Sequence, residues 1–513
     1  MFDLGTSFLA AVERDPEALA VVDGDVRLTY AQWYRRISAV AAQLNAYGLV
    51  KGDHVVTALQ NRWEAATIHW ACQFLGLIIT PVNWRAKAEE MAFFLGNADA
   101  RLMIMEAVSR EACEAAGNTC NVTMVDLDAD TAFAAEDRSA PDILPLAGAG
   151  DWSLMLYTSG TTGNPKGVPR RHRAERAAAI AHAAQNTYRL GGERTLGVMP
   201  LYHTMGVRSL ITMALIGGVF VCLRRFDVLR ALELIEREKL TCLYLVPTLY
   251  HDLLHHPRFG ETDVSSVDYL GFAGASMTDG LLRALETAFR PKLFVNHYGS
   301  SEIYTFTVCQ HAPAKPGSAG RPGINQRIRV VKLGQADPAL QAEPGEEGEI
   351  VANLASDEAF EGYWKRPDAD AKALQRGWYF TGDCGYVDPD GDLFVTGRVD
   401  DMIITGGENV SPVEIESCLS LCPGVREAAV VGLPDERWGR IVAAFVVADQ
   451  TLTVEQLDAH CRQSGLANFK RPRRYVFLDT LPKSPVGKLL RRKLVAGEFE
   501  ESTERLPLGR AQS

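Results

Sequence analysis

The 513-residue chain has no CxxC pair and no His/Cys grouping at zinc-finger spacing, and its ten cysteines lie far apart. That pattern excludes a disulfide framework and a structural zinc site, and it fits a reducing cytoplasm. A basic domain is missing too. The net charge of −11 is spread along the sequence, so nucleic acid is not an expected partner. No apolar run reaches the about 20 residues that span a bilayer. The longest, Leu210 to Leu223, is held between Arg208 and Arg224. The start, Met1-Phe-Asp-Leu-Gly-Thr-Ser-Phe-Leu-Ala, carries no basic n-region, so a secretory signal is not expected. Internal repeats and low-complexity segments are absent as well. One local excess of positive charge, Arg170, Arg171, His172, Arg173 and Arg176, opens a helical pattern and reads as a solvated face.

With 47% hydrophobic residues the chain is well supplied to fold, and its length suggests two to four domains. Helical and strand patterns alternate over most of it. Thr29 and Gln32 form a capping box ahead of Trp33, Ile37, Val40, Ala41 and Leu44 at helical spacing, and a strand follows from His54 to Ala58. Such alternation predicts α/β layers. After Gly317 the texture turns to Gly, Pro and charged turns between short β-rich pieces, Ile328 to Val331 and Glu349 to Val351, which reads as a small β subdomain. Beyond Gly397 a tail of its own character carries a strand at Met402 to Ile404, a Ser411-Pro412-Val413-Glu414 capping box opening a helix, and a strand at Ala428 to Val431. It reads as a separate α+β domain.

The densest chemical signal is Tyr157-Thr-Ser-Gly160-Thr-Thr-Gly163-Asn-Pro-Lys166-Gly167. Leu154 to Thr158 reads as a buried strand. The glycines after it permit a tight turn, so that amide N–H groups and the hydroxyls of Thr158, Ser159, Thr161 and Thr162 can converge on anionic oxygens beside the Lys166 ammonium. It is not a Walker A loop, because Pro165 replaces the glycine before the lysine and Gly167 replaces the Ser or Thr after it.

Further segments follow in a fixed order: Pro200-Leu-Tyr-His203, Gly271-Phe-Ala-Gly274-Ala-Ser, Asn296-His-Tyr298-Gly299-Ser-Ser301-Glu302, Trp378-Tyr-Phe-Thr381-Gly382-Asp383, Gly397-Arg398-Val-Asp400-Asp-Met-Ile-Ile-Thr-Gly406-Gly407-Glu408-Asn409, and Pro482-Lys-Ser-Pro-Val-Gly487-Lys488. With the phosphate loop these seven motifs make the chain resemble the adenylate-forming superfamily of acyl-CoA synthetases, peptide-synthetase adenylation domains and luciferases, over nearly its whole length. The resemblance implies a large adenylation domain (1–396), a hinge (397–400) holding Asp400, and a mobile C-terminal domain (401–513). It also implies an AMP-forming acid–thiol ligase whose substrates are a carboxylic acid, ATP and CoA, with Mg²⁺ as cofactor, in a monomer or homodimer. An inert scaffold retaining the fold is disfavoured by the intact Lys166, Glu302, Asp383, Arg398 and Lys488.

By the same resemblance, ATP meets Thr158, Ser159, Gly160, Thr161, Thr162, Gly163, Lys166, Gly274, Ala275, Ser276, His297, Tyr298, Gly299 and Ser301. Tyr298 lies along adenine, Ser301 stands where most relatives have Thr at the α-phosphate, and Glu302 holds the metal. A hard cation of this kind favours oxygen ligands. Asp383, behind a Thr381-Gly382 turn, would accept both ribose hydroxyls with Arg398 beside it. The implied catalytic set is Lys488, Glu302 and His203, with the Lys488 ammonium bridging carboxylate and α-phosphate during the first step. Gly406, Gly407, Glu408, Trp438, Phe469, Arg471 and Arg473 fall where relatives contact CoA.

The wording of the motifs is most similar to that of aryl-CoA ligases acting on benzoate-type acids. Carried over, His203, Thr204, Met205, Ala273, Gly274, His297, Gly299, Tyr304 and Thr305 surround the acyl group. His203 and Tyr304 suit a flat ring, whereas a long alkyl chain needs an aliphatic tunnel. His297 replaces an apolar residue common at that place. It either hydrogen-bonds a ring substituent or heteroatom, as in a hydroxybenzoate or furoate, or bonds a backbone carbonyl. The alternatives are a medium-chain fatty acyl-CoA synthetase and a free-standing enzyme loading a carrier protein.

Overall fold

The computed structural model describes residues 1–130, 133, 142–158, 165–398, 402–405, 408–483 and 489–502. Nine residues with expected roles lie outside them: Ser159, Gly160, Thr161, Thr162, Gly163, Asp400, Gly406, Gly407 and Lys488. The side chain of Glu408 does as well.

The expected α/β layers form around two sheets. The first has six strands in the order Thr123–Asp126, Leu102–Met105, His54–Ala58, Ile78–Pro81, β1 (Trp152–Thr158) and β2 (Lys166–Arg171). It is parallel except for the β1/β2 pair, which sets Thr158 opposite Lys166. After β2 come the helices α1 (His172–Gln185) and α2 (Thr204–Ile216). In the second sheet the parallel strands Cys242–Leu245, β3 (Tyr269–Ala273) and β4 (Leu293–Tyr298) run side by side. Past β4 that sheet turns antiparallel through Thr307–Cys309 and Ser318–Pro322. It then continues into β6 (Leu393–Arg398), β5 (Trp378–Val387), Gly348–Asn353 and Ile328–Lys332. The β-rich region beyond Gly317 is therefore an extension of the large sheet, joined to it by a continuous ladder.

The first helical stretch matches its sequence signature. Thr29 and Gln32 exchange both capping-box hydrogen bonds, and Trp33, Ile37, Val40, Ala41 and Leu44 are all buried. Trp33 joins Phe8, Tyr30, Trp70 and Phe74 in an aromatic knot, with the Phe8 and Trp70 ring centroids 4.7 Å apart. The apolar run from Leu210 splits into the end of α2 and the strand Val219–Cys222, with Gly217 at φ 74° closing the helix. No helix among the described residues is long and apolar enough to cross a membrane.

The smaller C-terminal part folds around α3 (Pro412–Ser420), the long hairpin Val425–Asp435/Gly439–Ala448 and the strand Arg474–Phe477. Ser411 does cap α3 by position, but the expected capping box is not formed. Its hydroxyl donates instead to the Thr396 carbonyl at 2.5 Å, tying the helix start back to β6. All ten cysteines are free thiols. Burial pushes the Cys384 thiol, beside Asp383, up to about 12, in keeping with a structural role.

Five histidines are buried uncharged. Burial lowers His54 and His172 to about 4, His69 to about 3, and His182 and His297 well below 6.5. The unfolded chain takes up these protons near pH 6.5, while the folded chain does not until near pH 4 or below. Stability should therefore fall as pH drops below about 6.5, by about 1.4 kcal/mol per pH unit for each such histidine. Urea unfolding at pH 7.5 and 5.5 tests this, with His69→Gln expected to flatten the slope.

Candidate active site

The carboxyl ends of β1, β3 and β4 and the start of α2 converge, which is where open α/β sheets bind ligands. β3 and β4 pair in register with Ala273 opposite His297, so the exposed Gly274-Ala275-Ser276 corner and the Tyr298-Gly299 corner sit side by side. Gly274 has φ 82°, a conformation that disfavours a side chain. At Gly299 the constraint is contact: a Cβ would lie 2.1 Å from the Tyr304 carbonyl oxygen. Gly299→Ala should therefore displace the turn carrying Ser301 and Glu302, cutting pyrophosphate release by about tenfold or more with a smaller change in melting temperature. Full activity in that variant would show that the turn yields without consequence.

Beyond Gly299 the chain folds on itself. Ser300 N–H donates to the Ile303 carbonyl at 2.9 Å, and the Ser300 hydroxyl accepts from Glu302 N–H at 3.2 Å. Glu302 is thereby buried with its carboxylate turned to Tyr363, whose hydroxyl donates to Oε1 at 2.7 Å. The Lys166 ammonium stands 4.2 Å from the centre of the same Tyr363 ring. Burial pulls the Lys166 pKa down while the Glu302 charge opposes it. Tyr363 thus bridges the two charged groups the sequence singled out. No motif singles out Tyr363, which lies in the Gly362-Tyr363-Trp364 stretch held by the Trp364 N–H to Gly167 carbonyl bond of 2.8 Å.

Asp383 and Arg398 meet across the β5/β6 pair, with Nη1 to Oδ1 at 2.9 Å. The Tyr298 hydroxyl donates to Oδ2 of Asp383 at 2.6 Å, and burial together with that carboxylate raises the phenol well above its ordinary pKa. Tyr298, Asp383 and Arg398 form one constellation, in which the expected Asp383–Arg398 contact is joined by Tyr298. Thr381 and Gly382 lie inside strand β5, however, and not in a turn. Gly382 has φ 71° and donates to the Glu349 carboxylate at 3.2 Å, and the pairing of β5 with Gly348–Asn353 shifts register there.

His203 ends the Pro200-Leu-Tyr segment, which Asn61 fixes by accepting from Leu201 N–H at 3.3 Å while its Nδ2 donates to the preceding carbonyls of Gly197 at 3.0 Å and Met199 at 2.7 Å. Gly206 lets α2 settle on that loop, since a Cβ there would meet the Pro200 oxygen at 2.2 Å. His203 becomes the N-cap of α2, its Nδ1 accepting from Met205 N–H at 3.4 Å. The Thr204 hydroxyl lies 3.4 Å from that of Ser301, joining the start of α2 to the β4 corner. Met205, Ala273, Tyr304 and Thr305 are buried around it.

His297 is 2% exposed, and its Nε2 faces Asn186 Oδ1 at 3.2 Å, a side-chain partner 111 residues away and not a backbone carbonyl. Its ring packs with those of His182 and Tyr244, centroids 5.0 and 5.2 Å off. Arg208 of α2 completes this end, with Nη1 2.7 Å from Thr305 Oγ1 and Nη2 on the Tyr244 hydroxyl. His182, Asn186, Arg208 and Tyr244 were not picked out in sequence as site residues.

The basic cluster is a solvated face only in part: Arg173 is exposed, whereas Arg170 and His172 are buried. Arg170 is 0% exposed: Nε bonds Glu175 at 2.7 Å, while Nη1 reaches the carbonyls of Glu302 at 2.9 Å and Glu358 at 2.6 Å. Its guanidinium carbon lies 4.0 Å from the Tyr304 ring centre. His172 is buried, and Arg171 and Arg173 share Glu361. Arg170 is a strut under the Glu302 turn.

In the C-terminal part Trp438 and Arg473 meet, guanidinium carbon to ring centre 4.9 Å, and Arg437 joins them at 5.0 Å. Phe469 is exposed nearby in sequence, and Arg471 is committed to Asp458 at 2.9 Å. No described group of three or more His, Cys, Asp and Glu side chains could hold a metal by itself. Glu302 nevertheless suits Mg²⁺, because only Oε1 is bonded to a described residue and the remaining oxygen ligands could be phosphate and water.

Residues 8–364 match the AMP-binding enzyme family and residues 414–488 match the AMP-binding enzyme C-terminal domain, so the chain belongs to the AMP-binding enzymes, as an AMP-forming acyl-CoA ligase. It is 36% identical over 496 residues to a 4-chlorobenzoate–CoA ligase of Arthrobacter sp., covering 94% of this chain and 93% of that protein. It is 34% identical over 474 residues to the long-chain-fatty-acid–CoA ligase FadD13 of Mycobacterium tuberculosis, covering 91% and 92%. Among solved structures, the anthranilate CoA ligase AuaEII in complex with anthranoyl-AMP superposes with a TM-score of 0.90 at 26% identity, over 97% of each chain.

Proposed function

We propose that this ligase activates a small aromatic or heteroaromatic acid of the benzoate, hydroxybenzoate, halobenzoate or furoate type. The observation that carries the reading is the ring-lined end of the site. His182, Tyr244 and His297 pack on one another beside Ala273 and α2, next to the Thr204–Ser301 contact that leads to the nucleotide corner. Flat rings of this kind match a planar acyl group. The similarity to a 4-chlorobenzoate ligase and an anthranilate ligase supports it, while that to FadD13 is the support for an aliphatic acid as second reading.

In the first half-reaction a carboxylate oxygen attacks the α-phosphorus of ATP, and the bond to pyrophosphate breaks. In the second, the CoA thiolate adds to the adenylate carbonyl, and AMP leaves. On our reading the 159–163 segment with Thr158 and Lys166 holds the phosphates, Ser301 meets the α-phosphate, Tyr298 lies along adenine, and Asp383 with Arg398 takes the ribose. Glu302 would hold Mg²⁺, which supplies positive charge to the phosphate oxygens. Lys488 bridges the two reacting anions. Gly406, Gly407, Trp438, Arg437 and Arg473 serve CoA, since Arg can meet phosphate and an aromatic ring can stack on adenine. The hinge falls at 397–400, where β6 ends at Arg398 and Gly397 has φ 146°.

Pyrophosphate release over a panel of aromatic and aliphatic acids, with and without CoA, tests the reading. We expect turnover on aromatic acids and CoA-dependent AMP formation. Turnover confined to aliphatic acids would overturn the aromatic assignment.

A further inference from the structure

Of the buried polar atoms at the ring-lined end that lack a partner among the described residues, two have opposite needs. Arg208 is 2% exposed; both of its terminal nitrogens are used, yet Nε has no partner among the described residues, and no described carboxylate forms an ion pair with it. The second atom is His297 Nδ1. Its state follows from its neighbours. Asn186 Nδ2 lies 2.7 Å from the His182 carbonyl, which can only accept, so that nitrogen is the amide donor and Oδ1 is what faces His297. His297 must then carry its proton on Nε2. Burial and the Arg208 charge keep the ring neutral, which leaves Nδ1 a bare lone pair.

The cluster thus offers one N–H donor and one nitrogen acceptor, among rings 4.8 to 5.2 Å apart. Polar atoms at that depth are almost always paired. A methylene chain or a halogen pairs neither atom. A second carboxylate meets Arg208 and repels the Nδ1 lone pair, and a furan oxygen accepts without donating. Of these groups only a hydroxyl does both.

We propose that the acid carries a ring hydroxyl, which accepts from Arg208 Nε–H and donates to His297 Nδ1. This makes the substrate a hydroxybenzoate-type acid, and it makes Arg208 and His297 the residues that select it. The inference rests on the aromatic-acid reading above and narrows it. Sites built to bond a substrate hydroxyl discriminate sharply against analogues that lack it, because their own buried groups are then left unpaired.

The test is kcat/KM for pyrophosphate release with 2-, 3- and 4-hydroxybenzoate, benzoate, 4-chlorobenzoate, 2-furoate and hexanoate, in the native enzyme and in His297→Leu. One hydroxybenzoate isomer should exceed benzoate and 4-chlorobenzoate by at least about tenfold, and His297→Leu should reduce that ratio to within about threefold. The native panel decides the proposal even if the variant folds poorly. Benzoate or 4-chlorobenzoate at parity with every isomer, or 2-furoate ahead of them all, overturns the hydroxyl assignment and leaves the aromatic reading standing. Activity on hexanoate alone overturns both. A ratio that survives in His297→Leu removes His297 from the proposal.

Discussion

Arg170→Met is expected to destabilise the protein by about 3–5 kcal/mol, seen as a lower urea midpoint with an unchanged slope. The side chain is buried completely and holds three elements at once: the Glu175 carboxylate on α1, the Glu302 carbonyl in the turn after β4 and the Glu358 carbonyl in the segment leading to Tyr363. Methionine fills much of the volume but leaves a buried carboxylate and two carbonyls short of a donor. Adding Glu175→Leu removes the orphaned charge, so the double variant should recover part of the loss. Glu302 should be less well held in both, and pyrophosphate release should fall more than the unfolded fraction explains. A stability loss below about 1 kcal/mol would mean that the strut is dispensable.

Lys488→Ala should separate the two half-reactions. We expect adenylate formation to fall by about 10²–10³-fold, the scale seen when one positioned group is removed from developing charge. Transfer from supplied acyl-adenylate to CoA should persist, because by then the repulsion between carboxylate and phosphate no longer has to be overcome. Equal losses in both assays would place Lys488 in a general binding role and take away the support for a moving C-terminal domain.

The sequence was most informative where function or structure is written in adjacent residues. The Thr29–Gln32 capping box needs only four positions, and it formed. The Tyr298, Asp383 and Arg398 constellation came together because each lies at a strand end or in a register that its motif implies. What escaped depends on partners far along the chain. Arg170 looks like one of several surface arginines until the fold brings carbonyls from 132 and 188 residues away to meet it. His297 could be anticipated as a polar wall, but its tautomer depends on Asn186, 111 residues distant, and no local pattern announces that pair. Ser411 fails in the opposite sense. Its local box was legible, and the Thr396 carbonyl outcompeted it.

The unbroken ladder from Val26–Thr29 to Ile328–Lys332 has a practical consequence for anyone dissecting the enzyme. The change of texture near Gly317 invites a cut, yet severing the chain there would strip Thr307–Cys309 of its neighbour Ser318–Pro322 and bare a row of unpaired amides. A fragment ending at that point is liable to self-associate, so truncations meant to isolate the larger N-terminal part are better placed after Arg398, where β6 has already completed its pairing.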